Sequence, residues 1–206
     1  MELDRQTLSG LMWSVADRAL TEGVPTSIPR RLDDENSVIP LAADVDGDVA
    51  IVTLLSWSEQ DSGWEPSLWN ATLVGHDGDW YRANTSGGLP PREYPLAARG
   101  PADPAGLHMR IYEAGPQHTG TGDKRWLSAA IHVTAEVETV RIGERHRPVP
   151  FHGYLPVVVR DRARAVVAAI SGNGSVLETI DLRREPSDFY RELRHRDPDG
   201  WPLKIK

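Results

Sequence analysis

Three times in this chain an Asx-Gly pair stands between two apolar runs, and this device limits the possible folds more than any other feature. Asp46-Gly47 lies between residues 39–45 and 49–55, Asp77-Gly78 between 71–75 and 80–83, and Asn173-Gly174 between 165–170 and 176–182. A two-residue hairpin turn needs positive φ at its centre, which Gly, Asn and Asp accept at least cost. The chain is therefore expected to be mainly β and antiparallel. The second pair also sets a register. A turn at Asp77-Gly78 places His76 opposite Asp79 and Gly75 opposite Trp80. Trp80 then shares a face with Leu73, Ala71 and Trp69, and its ring covers the bare Gly75. Residues 49–55 do not alternate, which predicts a strand covered on both faces.

Ahead of the strands, Asp4 to Glu22 has helical spacing. Leu8, Leu11, Met12, Val15, Ala16, Ala19 and Leu20 form one apolar stripe, Asp4 can cap the first amides, and Gly23 and Pro25 end the helix. With Trp13 the one bulky residue off the stripe, the helix is expected to cover the protein's own sheet. Residues 84–106 hold Pro90, Pro91, Pro95, Pro101 and Pro104. They read as an irregular connection or a seam within a single 206-residue domain, with helix and hairpins (1–83) before it and an antiparallel sandwich part (107–206) after it. Residues 115–124 read as a disordered polar loop, 126–142 as one long strand, 149–160 as another, and 187–196 as a short helix. The expected fold is an antiparallel β-sandwich, or a barrel-like relative, with an N-terminal amphipathic helix and a short C-terminal helix. From Val137 onward the cadence of a Gly-Glu turn, prolines, His152-Gly153-Tyr154 and Asn173-Gly174-Ser175 resembles sandwich-type domains of unknown function in GC-rich bacteria. That likeness is one of turn chemistry and implies no activity.

Composition removes several function classes. The absence of cysteine excludes a disulfide framework, a thiol nucleophile, an iron–sulfur cluster and a Cys-based zinc site. The start of the chain lacks the basic and apolar blocks of a secretory signal, and no apolar window is long enough for a membrane span, so a cytoplasmic location is expected. Asn70, Asn84 and Asn173 in their Asn-X-Ser/Thr triplets are then chance matches. The first hundred residues carry a net charge of −9 and residues 183–206 one of +2, within −7 overall. An acidic first half with one short Arg-rich tail predicts no nucleic-acid binding. Twenty Arg against three Lys suggests a GC-rich bacterial genome.

Few residues suggest chemistry. Asp44, Asp46 and Asp48 resemble the start of a calcium loop, but Gly47 falls where a hairpin wants it and no bidentate Glu follows at the twelfth position. Gly115 and Gly120 have the spacing of a phosphate loop without its Lys-Ser/Thr ending. In the strand from Ile131, His132, Thr134, Glu136 and Glu138 alternate with apolar residues. His132, Glu136 and Glu138 could therefore share a solvated face and, with His146 or His152, bind a metal or act as an acid–base pair. Seven Trp residues stand out, four of them at 57, 64, 69 and 80. Trp69 and Trp80 are expected in the core and Trp57 in the core or at its rim. Trp64, in a polar stretch, is expected to be an exposed interface anchor together with Trp57.

The leading expectation is a non-enzymatic module that binds another macromolecule or self-assembles, with a protein partner, no membrane and no cofactor. Rival readings are an enzyme or small-ligand or metal binder using the His132/Glu136/Glu138 face, and a carbohydrate-binding module using Trp64.

Overall fold

A computed structural model describes residues 5–33, 35–60, 63–89, 96, 98–102, 106–118 and 125–184. Among the described residues one α-helix, α1 (Arg5–Thr21), precedes eleven antiparallel strands. They are β1 (Val38–Asp46), β2 (Val49–Gln60), β3 (Gly63–His76), β4 (Asp79–Leu89), β5 (Met109–His118), β6 (Arg125–Val133), β7 (Val137–Ile142), β8 (Arg145–Pro148), β9 (Tyr154–Val159), β10 (Val166–Ser171) and β11 (Val176–Asp181). They form a meander sheet, β1-β2-β3-β4, and two further sheets, β5-β6-β9 and β11-β10-β7-β8. The protein is mainly β and sandwich-like.

The layers follow from where the apolar side chains point. The stripe of α1 packs on Ala50, Val52, Leu54, Ala71 and Leu73 of the meander sheet. The helix thus covers its own sheet, as its spacing predicts. The opposite face of β2 gives Val49 and Ile51 to a cluster with Trp126 and Val158, and Leu55 to another with Tyr154. That double coverage is why residues 49–55 are apolar on both faces apart from Thr53. The second and third sheets enclose the largest core, with Ile131, Leu155 and Val157 facing Val140, Val167 and Ala169. The β5-β6-β9 sheet is therefore a middle layer.

The turn at Asp77-Gly78 has the expected register, with Gly75 opposite Trp80 and positive φ at both Asp77 (52°) and Gly78 (90°). A Cβ at Gly75 would lie 3.3 Å from Trp80 Cζ3, so the indole covers the glycine. Trp69 and Trp80 are half-buried against the α1 core. We expect Trp80→Ala to cost about 2 kcal/mol in urea unfolding, below the usual range for a fully buried aromatic because part of the ring meets solvent. The first turn differs by one residue. Asp46 pairs with Val49, so Gly47 and Asp48 are central and Gly47 takes the positive φ (64°). Gly in the first central position gives the other favoured hairpin turn.

Several expectations are corrected. Residues 126–142 form two strands in two sheets, separated by a turn at residues 134–136. Thr134 N–H donates to His108 O and Ala135 N–H to Gly100 O, which takes the chain out of one sheet before it enters the next. Residues 84–89 continue β4, and 115–118 belong to β5. In the stretch 149–160 only Tyr154–Val159 is strand. The expected C-terminal helix at 187–196 lies outside the described residues.

Candidate binding cleft

β1 and β9 are each the last strand of a sheet, and they lie side by side. They do not pair. From Tyr154 onward every second residue of β9 turns its backbone away from β6, and side chains meet each donor in turn. Tyr154 N–H donates to His152 Nδ1 (3.0 Å), Pro156 has no N–H, Val158 N–H donates to Asp44 Oδ2 (2.9 Å), and Arg160 N–H to Asp46 Oδ2 (2.8 Å). On β1 the carbonyls of Leu41, Ala43 and Val45 accept from His152 Nε2 (3.2 Å), Arg147 Nη2 and Arg145 Nη1 (2.8 Å). Side chains stand here where a neighbouring strand would stand.

Two residues hold this seam. Asp44 is 1% exposed and meets Arg145 Nη1 at 2.7 Å and Arg147 Nη1 at 3.3 Å. Burial pushes its carboxyl above the usual carboxylate range, against the opposing pull of the Val158 N–H and the two guanidiniums. Arg145 also reaches Val158 O, so β1, β8 and β9, one strand from each sheet, meet at this carboxylate. His152 is 2% exposed. Because Tyr154 N–H can only donate, Nδ1 must accept, and the proton sits on Nε2 facing Leu41 O. Burial lowers the imidazole pKa to about 4, which keeps the ring neutral.

Beside the seam lies an open cleft of about 620 Å3. Leu41, Ala42, Ala43 and Val45 of β1 line its floor, the end of α1 and the segment to Ile28 form one wall, and residues 147–152 form the other. Leu20, Val24, Ile28, Val149 and Phe151 make the lining largely apolar, and Arg30 stacks on the Phe151 ring at 5.2 Å. Pro25, Pro148 and Pro150 stand in the walls. A residue without an N–H cannot complete a ladder, which keeps both walls from pairing with β1. The volume lies within the ordinary range for ligand pockets.

The residues singled out in the sequence do not line this cleft, apart from His152. His132 is 7% exposed, which overturns its place on a solvated face. It packs against Tyr154 (4.6 Å between centroids) and edge-on to Tyr112 (6.4 Å), because the far side of β6 faces the meander sheet. Beside this cluster Thr53 Oγ1 donates to Asn70, and Asn70 Nδ2 to Glu113 Oε2. The adjoining void is about 10 Å3, room for one water at most. Glu136 is exposed in the turn after β6. It accepts from Ala102 N–H at 3.2 Å, and the Thr134 hydroxyl chiefly lowers its pKa. Glu138 is exposed at the start of β7, in a different sheet from His132. The structure does not bring the three together. Among the described residues no group of three or more His, Asp or Glu side chains is placed to hold a metal ion.

Trp64 lies in β3 opposite Glu59, not in a loop. Trp57 is half-buried between two core clusters, within the expected core-or-rim position. The cleft itself has no local signal in the sequence, since its walls come from segments more than a hundred residues apart; its one trace is the Pro-Val-Pro-Phe run at 148–151.

No protein-family model, curated protein or solved structure matches this chain. Among the described residues no helix is long and apolar enough to cross a membrane.

Proposed function

We propose that this protein is a non-catalytic binding module that takes an extended apolar segment of a protein partner into the cleft beside β1. The observation that carries the reading is the state of the polar groups there. His152 Nε2 and Arg147 Nη2, which reach the cleft, both donate to carbonyls of its floor. Packing against apolar walls is the chemistry left for a ligand. A floor running from Leu41 to Val45 along β1 spans about 13 Å, enough for two alternate side chains of an extended peptide. A cytoplasmic setting belongs to the same proposal and suits a chain without cysteine.

Val45 provides the test, since it lines the cleft and is 38% exposed, so it can be changed with little effect on folding. Peptides selected from a displayed library on the wild-type protein are expected to carry apolar residues at alternate positions. They should bind Val45→Glu about tenfold more weakly, because the carboxylate must be desolvated when the cleft fills. Failure to select any peptide, or binding indifferent to Val45→Glu, overturns the reading.

A further inference from the structure

Resting on the reading of the cleft as a binding groove, we propose that His152 is a proton-operated latch on its floor: the imidazolium leaves its seat, opens the cleft end of the β1–β9 seam and loosens the segment held there. The seat admits only a neutral ring. Nδ1 accepts from Tyr154 N–H at 3.0 Å while Nε2 donates to Leu41 O at 3.2 Å. A proton on Nδ1 aims two N–H donors at each other, and flipping the ring does not help, because both nitrogens of an imidazolium are donors. Phe151 (5.1 Å between centroids, edge-on) and Tyr154 (5.9 Å, stacked) pack on the ring, and the cleft is the open space beside it.

The charges around the ring do not hold a cation in place. Arg99 disfavours a second positive charge on His152. It donates to the carbonyls of Thr134 and Val137 and faces Glu136 and Glu138. Arg147 of β8 is bound to Asp44 and to Ala43 O, Arg30 lies over Phe151, and β1 and the end of α1 line the cleft with uncharged residues. The opening also has a limit. Withdrawal of the ring removes the partners of Leu41 O and Tyr154 N–H, and the next outward residue of β9 is Pro156, which has no N–H to lose. The other titratable groups of the seam, Asp44 and Asp46, serve Val158 and Arg160 beyond it. The movable end therefore adjoins Leu41, His152 and Leu155, which all line the cleft. The seated ring has a pKa of about 4, against about 6.5 for a released one, so each pH unit between these values favours release about tenfold.

The Tyr154 amide reports the latch directly, because the seated ring covers its hydrogen. By hydrogen exchange in the wild-type protein, its protection is expected to fall about twentyfold between pH 7 and pH 5, corrected for the intrinsic rate, and to be unchanged by about 1 M urea, as for a local opening. In His152→Gln the pH dependence should vanish. Exchange that accelerates in urea together with the core amides of β7 and β10 means that the ring leaves only on global unfolding, and overturns the latch. A pH dependence that survives in His152→Gln assigns it to the seam carboxylates and overturns the latch as well. An uncharged apolar fluorescent dye tests the link to the groove. Dye whose binding to wild type is lost in Val45→Glu should bind about twofold more weakly at pH 4 than at pH 7, because half of the rings are then protonated. The expected exchange with dye binding indifferent to pH overturns the coupling to the groove. No Val45-dependent dye binding at pH 7 refutes the groove itself, and the exchange result then decides the latch alone.

Discussion

Asp44→Ala is expected to destabilise the protein by about 3 kcal/mol at neutral pH, read from urea unfolding. Removing one member of a buried ion pair leaves its partners uncompensated, and such losses are typically 3–5 kcal/mol. The lower end applies because Arg145 and Arg147 keep 30% and 36% of their side chains in solvent. The substitution also strips the acceptor from Val158 N–H, in the buried centre of the seam. Asp44→Asn keeps an acceptor and should cost roughly half as much. A loss below 1 kcal/mol for Asp44→Ala would show that the three-sheet joint is held by packing alone.

Acidification from pH 7 to pH 4 is the second large effect. The His152 pKa is about 4 in the folded protein, against about 6.5 when unfolded. Between these values the unfolded chain binds the extra proton, so stability falls as pH falls. His152 contributes fully above about pH 6.5, and its contribution is lost as pH drops through about 4. The whole window is worth about 3 kcal/mol. Carboxylates titrate in part of the same range, so the measurement is the difference between wild type and His152→Gln in urea unfolding at pH 7, 6, 5 and 4. Gln can still accept from Tyr154 N–H and donate to Leu41 O, and its slope should be flatter. Parallel slopes for the two proteins would remove His152 as the cause.

Much of the fold was legible because local rules and the tertiary structure agree. The α1 stripe, with Gly23 and Pro25 after it, needs no long-range information, and the Asp77-Gly78 turn fixes register by itself. The failures have physical causes. Alternation runs through the turn at 134–136 because Val133 and Val137, in different sheets, both point into the same core. His132 read as exposed because polar residues in an alternating strand face solvent in a two-layer protein, whereas β6 sits in a middle layer. Pro66 made the region of Trp64 look like a loop. Among the described residues β3 pairs with β4 only from Leu68 onward, so Pro66 lies beyond that ladder, where a missing N–H breaks no described pairing. The candidate site was the least legible part. Asp44 and Asp46 read as turn acids, and nothing near them in sequence announces that Val158 and Arg160 are the groups they serve.

The guarded edges of β1 and β9 bear on the solubility of variants. Backbone pairing survives most substitutions, because every residue except proline carries the same donor and acceptor. The protection here is assigned to particular side chains, chiefly Asp44, Asp46, Arg145, Arg147 and His152, and each can be lost by a single substitution. A chain that loses one of them uncovers strand edges bordered by Val157, Val158 and Val159, a β-branched run suited to intermolecular pairing. Substitutions at these positions should therefore show themselves as concentration-dependent aggregation before any change in secondary structure, and equally destabilising changes in the α1 core should not.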